Sequence, residues 1–387
     1  MAEYFGFKKV YGLGLLMTAI LTFLSPLVAK ANVWAFMVLR ILQGIFEGVT
    51  FPSLHAMTPR WIPVKERNSF IARSMFGGVF GLIITFPLCG ILIDVAGWES
   101  AYYVIGTITI VWFIFWQFFV FDTPSQHPRI SQEEFDYINS QLMNTISEKP
   151  KAIPWKSILT SVPFWGLLIT DCGNCVGLFV LSGYTPSYLK KMLGVDIKAN
   201  GVLSGLPMLS RYFGGLFHAA IADFLLARRN WSVVWIRRIF NSICMVGPAI
   251  TMLILAYPPS GSQCSVALTV GLLTIGKFFN GAISSGHFSS PVDLTPNYAG
   301  TLFGISNTIS GGCLGFAVPV AVGAMLKDNN TFETWTTIYV IASACYIIAN
   351  AFYFFMISGT IQPWNYYQEV SFQHFSFRYL LQNKSFR

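Results

Sequence analysis

Val33-Trp-Ala-Phe-Met-Val-Leu-Arg40-Ile-Leu-Gln43-Gly-Ile-Phe-Glu47-Gly-Val-Thr50 decides what kind of protein this is. Apart from four residues the stretch is nearly all apolar, and with its flanks (33–57) it is long enough, at about 1.5 Å per residue, to cross a hydrocarbon core of roughly 30 Å. Arg40, Gln43, Glu47 and Thr50 recur at i, i+3, i+7 and i+10, so a helix gathers them into one polar stripe. A charged group at bilayer depth costs about 2.5–3.5 kcal/mol even on the lenient insertion scale, so such a stripe faces protein or a water-filled cavity and marks function.

Working outward, the same reading finds further spans at 10–29, 69–93, 101–121, 163–189, 200–226, 238–257, 264–288, 298–325 and 335–357, which makes ten with 33–57. Composition agrees: 11% of the 387 residues are charged, against about 25% in soluble domains, and there are 35 Phe. These figures exclude a disordered chain, a nucleic-acid module and an ordinary soluble enzyme. The net charge of +8 is a matter of orientation. Of the 25 Lys and Arg, 17 fall in loops on the N-terminal side and five opposite, which predicts that both termini are cytosolic. Met1–Lys9 contains Glu3 and the first apolar run is long enough to stay in the bilayer, so no cleavable signal peptide is expected. The sequence divides into a bundle over 1–121, a polar cytosolic loop over 122–162, a second bundle over 163–358 and a cytosolic tail over 359–387. Ser131-Gln-Glu-Glu134 has capping-box spacing and predicts a short surface helix in that loop.

The two bundles are related. Phe46-Glu-Gly48 recurs as Phe279-Asn-Gly281, Gly78 meets Gly311 at the same offset, and the pair Lys8-Lys9 leads into a span as Arg237-Arg238 does. Before those basic pairs stand Ala2-Glu3-Tyr4 and Ala222-Asp223-Phe224. In the second half two spans precede Ala222-Asp223; in the first nothing precedes Ala2-Glu3. By its own symmetry the chain is expected to be an N-terminally truncated product showing ten spans of twelve, with a true ten-span protein as the alternative.

Polar stripes nominate the site. Arg40 and Glu47 lie about 10 Å apart along the axis, too far to pair, so Arg40 is expected to attract an anion and Glu47 to take up a coupling proton, with a pair of structural inter-helix locks as the alternative. The eighth span repeats the stripe with Lys277, Asn280, Ser284 and His287, where Asn280 is the repeat-mate of Glu47. Lys277 adds a second positive charge, with a snorkelling, lipid-facing position as the alternative. Asp171, Asn174 and Ser182 lie near one face of the fifth span, and Asn174 is counted with the substrate-binding groups. His55, toward the cytosolic end of its span, is a candidate for coupling or a hydrogen-bonded structural residue. Arg211 and His218 are expected to be structural or peripheral. Cys172-Gly-Asn-Cys175 reads as buried small residues rather than a redox pair, and Gly77-x-x-x-Gly81 and Gly311-Gly312-x-x-Gly315 as faces for close helix packing. Asn329, Asn230 and Asn383 head glycosylation sequons, of which only the first lies on the predicted outer side. No metal cluster and no nucleophile–base set is present, so no metal, cofactor or enzymatic activity is expected.

Arg40-Ile-Leu-Gln-Gly44, Glu47-Gly-Val-Thr-Phe-Pro52, His55, Trp61-Ile-Pro63 with Glu66-Arg67, Pro154-Trp155-Lys-Ser157, Asp293-Leu-Thr-Pro296, Gly300-Thr-Leu-Phe-Gly-Ile-Ser-Asn307 and Gln362-Pro-Trp-Asn365 resemble the anion transporter family of sialin, the vesicular glutamate transporters and the sodium–phosphate cotransporters. Among these the pattern is most similar to insect inorganic phosphate cotransporters. The resemblance implies an all-α membrane protein of the major facilitator superfamily fold, with two pseudo-symmetric helical bundles working by alternating access. It implies a monomeric symporter of phosphate-like or carboxylate anions coupled to H+ or Na+, in a plasma or lysosomal/vesicular membrane, with Arg40 and Glu47 serving substrate and coupling. Three departures stand out. Gly173-Asn174 replaces the seventh-helix arginine of the glutamate branch, Phe288-Ser-Ser-Pro-Val-Asp293 replaces Asn-x-x-His-Leu-Asp in the tenth helix, and Arg211 and Lys277 sit where neutral residues are expected. The second class of function left open is a truncated, non-transporting membrane relative, a scaffold or pseudogene product.

Overall fold

The structure, a computed structural model, describes residues 1–142, 153–195, 197–228, 231–258, 265–328 and 330–366. The middle of the 122–162 loop, the tail beyond 366 and the sequon residues Asn329, Asn230 and Asn383 lie outside them. All described secondary structure is helical. A one-turn helix α1 (Ala2–Phe5) leads into α2 (Phe7–Ala31), α3 (Val33–Glu47), α4 (Thr50–Trp61), α5 (Arg67–Ala96) and α6 (Trp98–Phe119). The loop carries α7 (Gln132–Leu142) and α8 (Trp155–Leu159), and Ser131 Oγ accepts the Glu134 N–H at 3.2 Å to cap α7. The second half holds α9 (Val162–Gly183), α10 (Thr185–Leu193), α11 (Ile197–Arg228), α12 (Val233–Ala256), α13 (Val266–Asn280), α14 (Ser290–Leu294), α15 (Ala299–Asn307), α16 (Gly315–Asp328) and α17 (Phe332–Met356).

Eight segments among the described residues are long and apolar enough to cross a membrane. The 30-residue α5 and 32-residue α11 are also of spanning length, so ten spanning rods result, four before the loop and six after it. In the second half α9 and α12 pack on α17, and α11 and α12 on α13, around a core of Met245, Met252, Leu273, Trp335 and Tyr346. In the first half α2 packs on α3 and α6, while α3 turns Trp34, Met37, Val38, Ile41 and Ile45 outward. The halves meet where α5 lies on α11 and α4 on α15.

Several spans expected to be continuous are interrupted. The 33–57 span breaks at Gly48–Val49 between α3 and α4, where Pro52 has no N–H to give the Gly48 carbonyl. The 264–288 span ends as α13 at Asn280 and continues as 3-10 turns, Gly281–Ser284 and His287–Ser289, into α14, whose Pro291 leaves the His287 carbonyl without its helical donor. The 298–325 span widens to a π-helix over Thr308–Leu314, and 163–189 is divided between α9 and α10. Non-helical backbone at membrane depth persists where protein or a cavity satisfies it, and these breaks flank the polar stripes.

The glycine faces are also corrected. A Cβ on Gly77, Gly81 or Gly312 would meet no described atom within 4 Å, so those positions carry no tight helix contact. One close approach is between α11 and the end of α13: a Cβ on Gly214 would overlap the Phe278 carbonyl, and one on Gly281 would overlap the backbone of Gly214 and Gly215. After α14, Asn365 accepts from Thr295 Oγ1 (2.8 Å) and the Asn297 N–H (3.0 Å), which fixes the Gln362-Pro-Trp-Asn365 motif under the loop into α15.

Candidate functional site

Two polar centres and a latch stand between the helices. On α3, begun by Asn32 Oδ1 accepting the Trp34 N–H at 2.7 Å, the Arg40 guanidinium donates to Tyr102 Oη (2.9 Å) and Gln43 Oε1 (3.2 Å). It lies over the rings of Phe36 and Tyr102, 4.8 and 5.5 Å from their centroids. Gln43 in turn donates to Thr22 Oγ1 at 3.0 Å, so α2, α3 and α6 together aim the cation. Neutral groups and π-faces hold Arg40; among the described residues no carboxylate is within ion-pair distance of it. Glu47 is exposed, does not meet Arg40, and its carboxylate makes no hydrogen bond among the described residues.

The second centre is built by α9, α11, α13 and α17. Lys277 is fully buried and donates to the Ser182 hydroxyl, which rules out the snorkelling alternative. Its ammonium has no carboxylate partner among the described residues. One turn on, Asn280 donates to Asn174 Oδ1 (3.1 Å) and Tyr346 Oη (3.4 Å) and accepts from Arg211 Nε (2.8 Å). Asn174, Asn280 and Lys277 thus fall together. Arg211, expected at the periphery, belongs to this centre, because the glycine-mediated contact of α11 with α13 carries it inward. His218 bonds its own helix through the Gly214 carbonyl at 2.6 Å and stays structural. Cys172 and Cys175 are free thiols, the latter donating to the Ser310 carbonyl.

A buried pair that no stripe announced as a pair joins α9 to the 3-10 turn at His287. His287 Nε2 is 3.2 Å from Asp171 Oδ1 without the alignment of a hydrogen bond, and His287 Nδ1 is 2.7 Å from Asn241 Oδ1. Next to it in sequence, the Phe288 carbonyl meets His55 Nε2 at 2.9 Å, while His55 Nδ1 meets the Phe51 carbonyl at 3.0 Å and the ring stacks on Phe303 at 3.8 Å. His55 therefore joins α4 to the second half.

The latch was missed as a site. Asp293 on α14 binds Arg67 (2.8 Å), from the start of α5, and Arg237 (2.6 Å), from the start of α12, and all three are buried. Arg237 also donates to Asn68 Oδ1 (2.5 Å) and the Ser285 carbonyl (2.7 Å). On one side Glu3 accepts from the N–H (2.9 Å) and hydroxyl (2.6 Å) of Thr301 in the first turn of α15. On the other, Asp223 accepts from the Ser69 N–H (2.8 Å) and Asn68 Nδ2 (2.7 Å) in the first turn of α5. Each acid caps a helix of the opposite half and complements its dipole. The signal was present in the repeat, where Glu3 and Asp223 are mates, but sequence does not say which helix start each would reach.

The comparisons with known proteins agree with this architecture. The family described as Major Facilitator Superfamily matches residues 1–319. A Drosophila ananassae protein named "Putative inorganic phosphate cotransporter" is 36% identical over 371 residues, 94% of this chain and 76% of that one. Human sialin is 36% identical over 364 residues, 94% and 72% of the two chains. Bovine vesicular glutamate transporter 1 is 32% identical over 377 residues, 96% and 66%. Among solved structures, the proton:xylose symporter XylE superposes with a TM-score of 0.70 at 15% identity, covering 93% of this chain and 82% of that one. An outward-facing bacterial homologue of ferroportin gives 0.63 at 16%, covering 90% and 82%. These relatives are transporters and not enzymes, and the chain is a multi-pass membrane protein of the major facilitator superfamily, within the group that includes sialin, the vesicular glutamate transporters and the phosphate cotransporters.

Proposed function

We propose that this protein carries small anions across a membrane by ion-coupled alternating access. The observation that carries the reading is Lys277: a fully buried ammonium among spanning helices whose partner is the neutral Ser182 hydroxyl. An uncompensated buried charge is costly, and an anionic solute entering beside it supplies the missing countercharge. Arg40, aimed by Tyr102 and Gln43, contributes the second cation from the other half. Asn174 and Asn280 give neutral donors and acceptors that fit phosphate or carboxylate oxygens. Glu47 and His55 serve coupling to H+ or Na+.

The bundles over 1–121 and 163–358 act as the two rocking bodies, joined by the 122–162 loop, with substrate between them near the midplane. The Lys and Arg bias puts both termini in the cytosol, so the latch of Glu3, Arg67, Asp223, Arg237 and Asp293 closes the cytosolic end and the conformation opens outward. The protein works as a monomer in a plasma or lysosomal/vesicular membrane, its partners being lipid and a small anion rather than nucleic acid. Proteoliposome uptake of radiolabelled inorganic phosphate and glutamate tests this. Arg40→Ala and Lys277→Ala are each expected to lower uptake at least about tenfold while the protein stays folded in the bilayer. Unchanged uptake in Arg40→Ala would remove that residue from the site, and uptake of neither anion by the unmodified chain would count against the reading for these two anion classes.

A further inference from the structure

The Asp171–His287 pair belongs to neither the anion-binding groups nor the coupling residues assigned above. Asp171 comes from α9 and His287 from the 3-10 turn before α14; both are buried, the imidazole fully. Asn241 Nδ2 donates to Asn350 Oδ1 at 3.0 Å, which turns Asn241 Oδ1 toward His287 as an acceptor. His287 Nδ1 must then carry a hydrogen. A neutral imidazole so oriented presents the bare lone pair of Nε2 to the Asp171 oxygen 3.2 Å away. If Asp171 were ionised at the same time, two lone pairs would face each other in a dry interior. One shared proton removes the conflict, either as a carboxylic acid facing Nε2 or as an imidazolium facing a carboxylate.

We propose that Asp171 and His287 form a proton-binding site in the second half of the protein, a coupling site beside Glu47 and His55, and that the ion coupled to transport is a proton. The inference rests on the transport reading above and narrows its coupling ion, since an imidazole nitrogen is a proton acceptor and a poor ligand for Na+. Loading adds one proton to the pair and draws α9 and the His287 turn together; release leaves facing lone pairs and drives them apart. The place of the pair gives that movement an outlet. The carbonyl of Phe288, the next residue, meets His55 Nε2 of the first half at 2.9 Å, and Asp293 of the latch follows within the same broken span. The titratable groups around the pair are His55 on α4, Cys172 and Cys175 on α9, Cys244 and Arg237 on α12, Asp293 on α14 and Tyr353 on α17. Arg237 and Arg67 are bound to Asp293, and Tyr353 to Ser290, so none of these is the pair's counterion.

The test uses Asp171→Asn and His287→Gln in the full chain reconstituted into liposomes, with inorganic phosphate as the transported probe. Accumulation driven by a pH gradient is expected to fall at least about tenfold in either variant. Phosphate counterflow at equal pH, which needs no net proton movement, should stay within about threefold of the unmodified protein. A second, substrate-free arm records infrared difference spectra between pH 5 and pH 8. Coupled changes in carboxyl and imidazole modes are expected in the unmodified chain and should vanish together in each variant. Full gradient-driven accumulation in either variant, or spectral changes that survive in both, would overturn the site. If the unmodified chain moves no phosphate, the transport reading fails for that probe while the infrared arm still decides the proton site. Should Asp171→Asn fail to reach the membrane, His287→Gln carries both arms.

Discussion

The Glu3 carboxylate accepts both the backbone N–H and the hydroxyl of Thr301, 298 residues away in sequence. With its mate, Asp223 on Ser69 and Asn68, it ties each half to a helix start of the other. Hydrogen bonds to a charged group contribute about 1.5–3 kcal/mol, and about 1.4 kcal/mol is a tenfold change in an equilibrium. Glu3→Ala is therefore expected to raise the population open at the latched end at least about tenfold. Spin labels on Phe5 and Phe224, both exposed and on opposite halves at this end, report it as a longer component in the distance distribution. An unchanged distribution would show that the two acids decorate the closure without holding it.

The same residue gives the closure a pH dependence. Burial raises the Glu3 carboxyl above the ordinary carboxylate range, and the hydrogen bonds from Thr301 only partly oppose this. Opening would return the group to water, where a carboxyl titrates near its ordinary value. An acid whose value is higher in the closed state favours closure when protonated. The contribution is fully present below the ordinary carboxylate range and is lost as pH rises through the raised value. The label distances should accordingly shorten on acidification across that window. In Glu3→Gln, which keeps an acceptor and loses its own titration while Asp223 remains, this pH response should weaken.

How much of this was legible beforehand depends on what each feature needs. Spans are set by local hydropathy, and the stripes through Arg40 and Lys277 by helical period, so both were readable. The repeat made Glu3 and Asp223 mates and Asn280 the counterpart of Glu47. What remained hidden depends on which helix faces which. Arg211 turns inward because Gly214 and Gly281 let α11 and α13 approach, and Gly77 and Gly81 looked equally suited to that contact. His287 was visible only as the end of a stripe; its partner Asp171 lies more than a hundred residues away on another helix. The breaks at Gly48 and after Asn280 follow from Pro52 and Pro291, whose missing N–H groups interrupt the helix without interrupting the apolar run.

Asp293 serves two arginines at once, so its loss and the loss of one arginine should not cost the same. Removing the carboxylate leaves Arg67 and Arg237 buried together without a countercharge, and breaking a buried pair costs about 3–5 kcal/mol. Replacing Arg67 leaves a balanced Asp293–Arg237 pair. Asp293→Asn is expected to lower the melting temperature of the detergent-solubilised protein well below that of Arg67→Gln. Equal melting temperatures for the two variants would mean that the arginines are not sharing one countercharge.

Lys277 offers the opposite sign. Its ammonium is fully buried against a hydroxyl, with no carboxylate partner among the described residues, so the folded protein carries a desolvation cost that the apo state does not recover. Substituting buried ionic groups by apolar ones of similar volume is often neutral or stabilising by about 1–4 kcal/mol, and methionine fills the lysine's space without the charge. Lys277→Met should therefore melt at the same temperature or a few degrees higher than the unmodified protein while losing anion uptake. A gain in stability bought by a loss of function is what a residue held for its ligand shows. A variant that melts lower and transports normally would instead make the Lys277–Ser182 contact a structural tie between α13 and α9. Adding phosphate during the melt separates the two cases further: a ligand that binds only the folded state raises its melting temperature. That rise should appear in the unmodified chain and be absent in Lys277→Met.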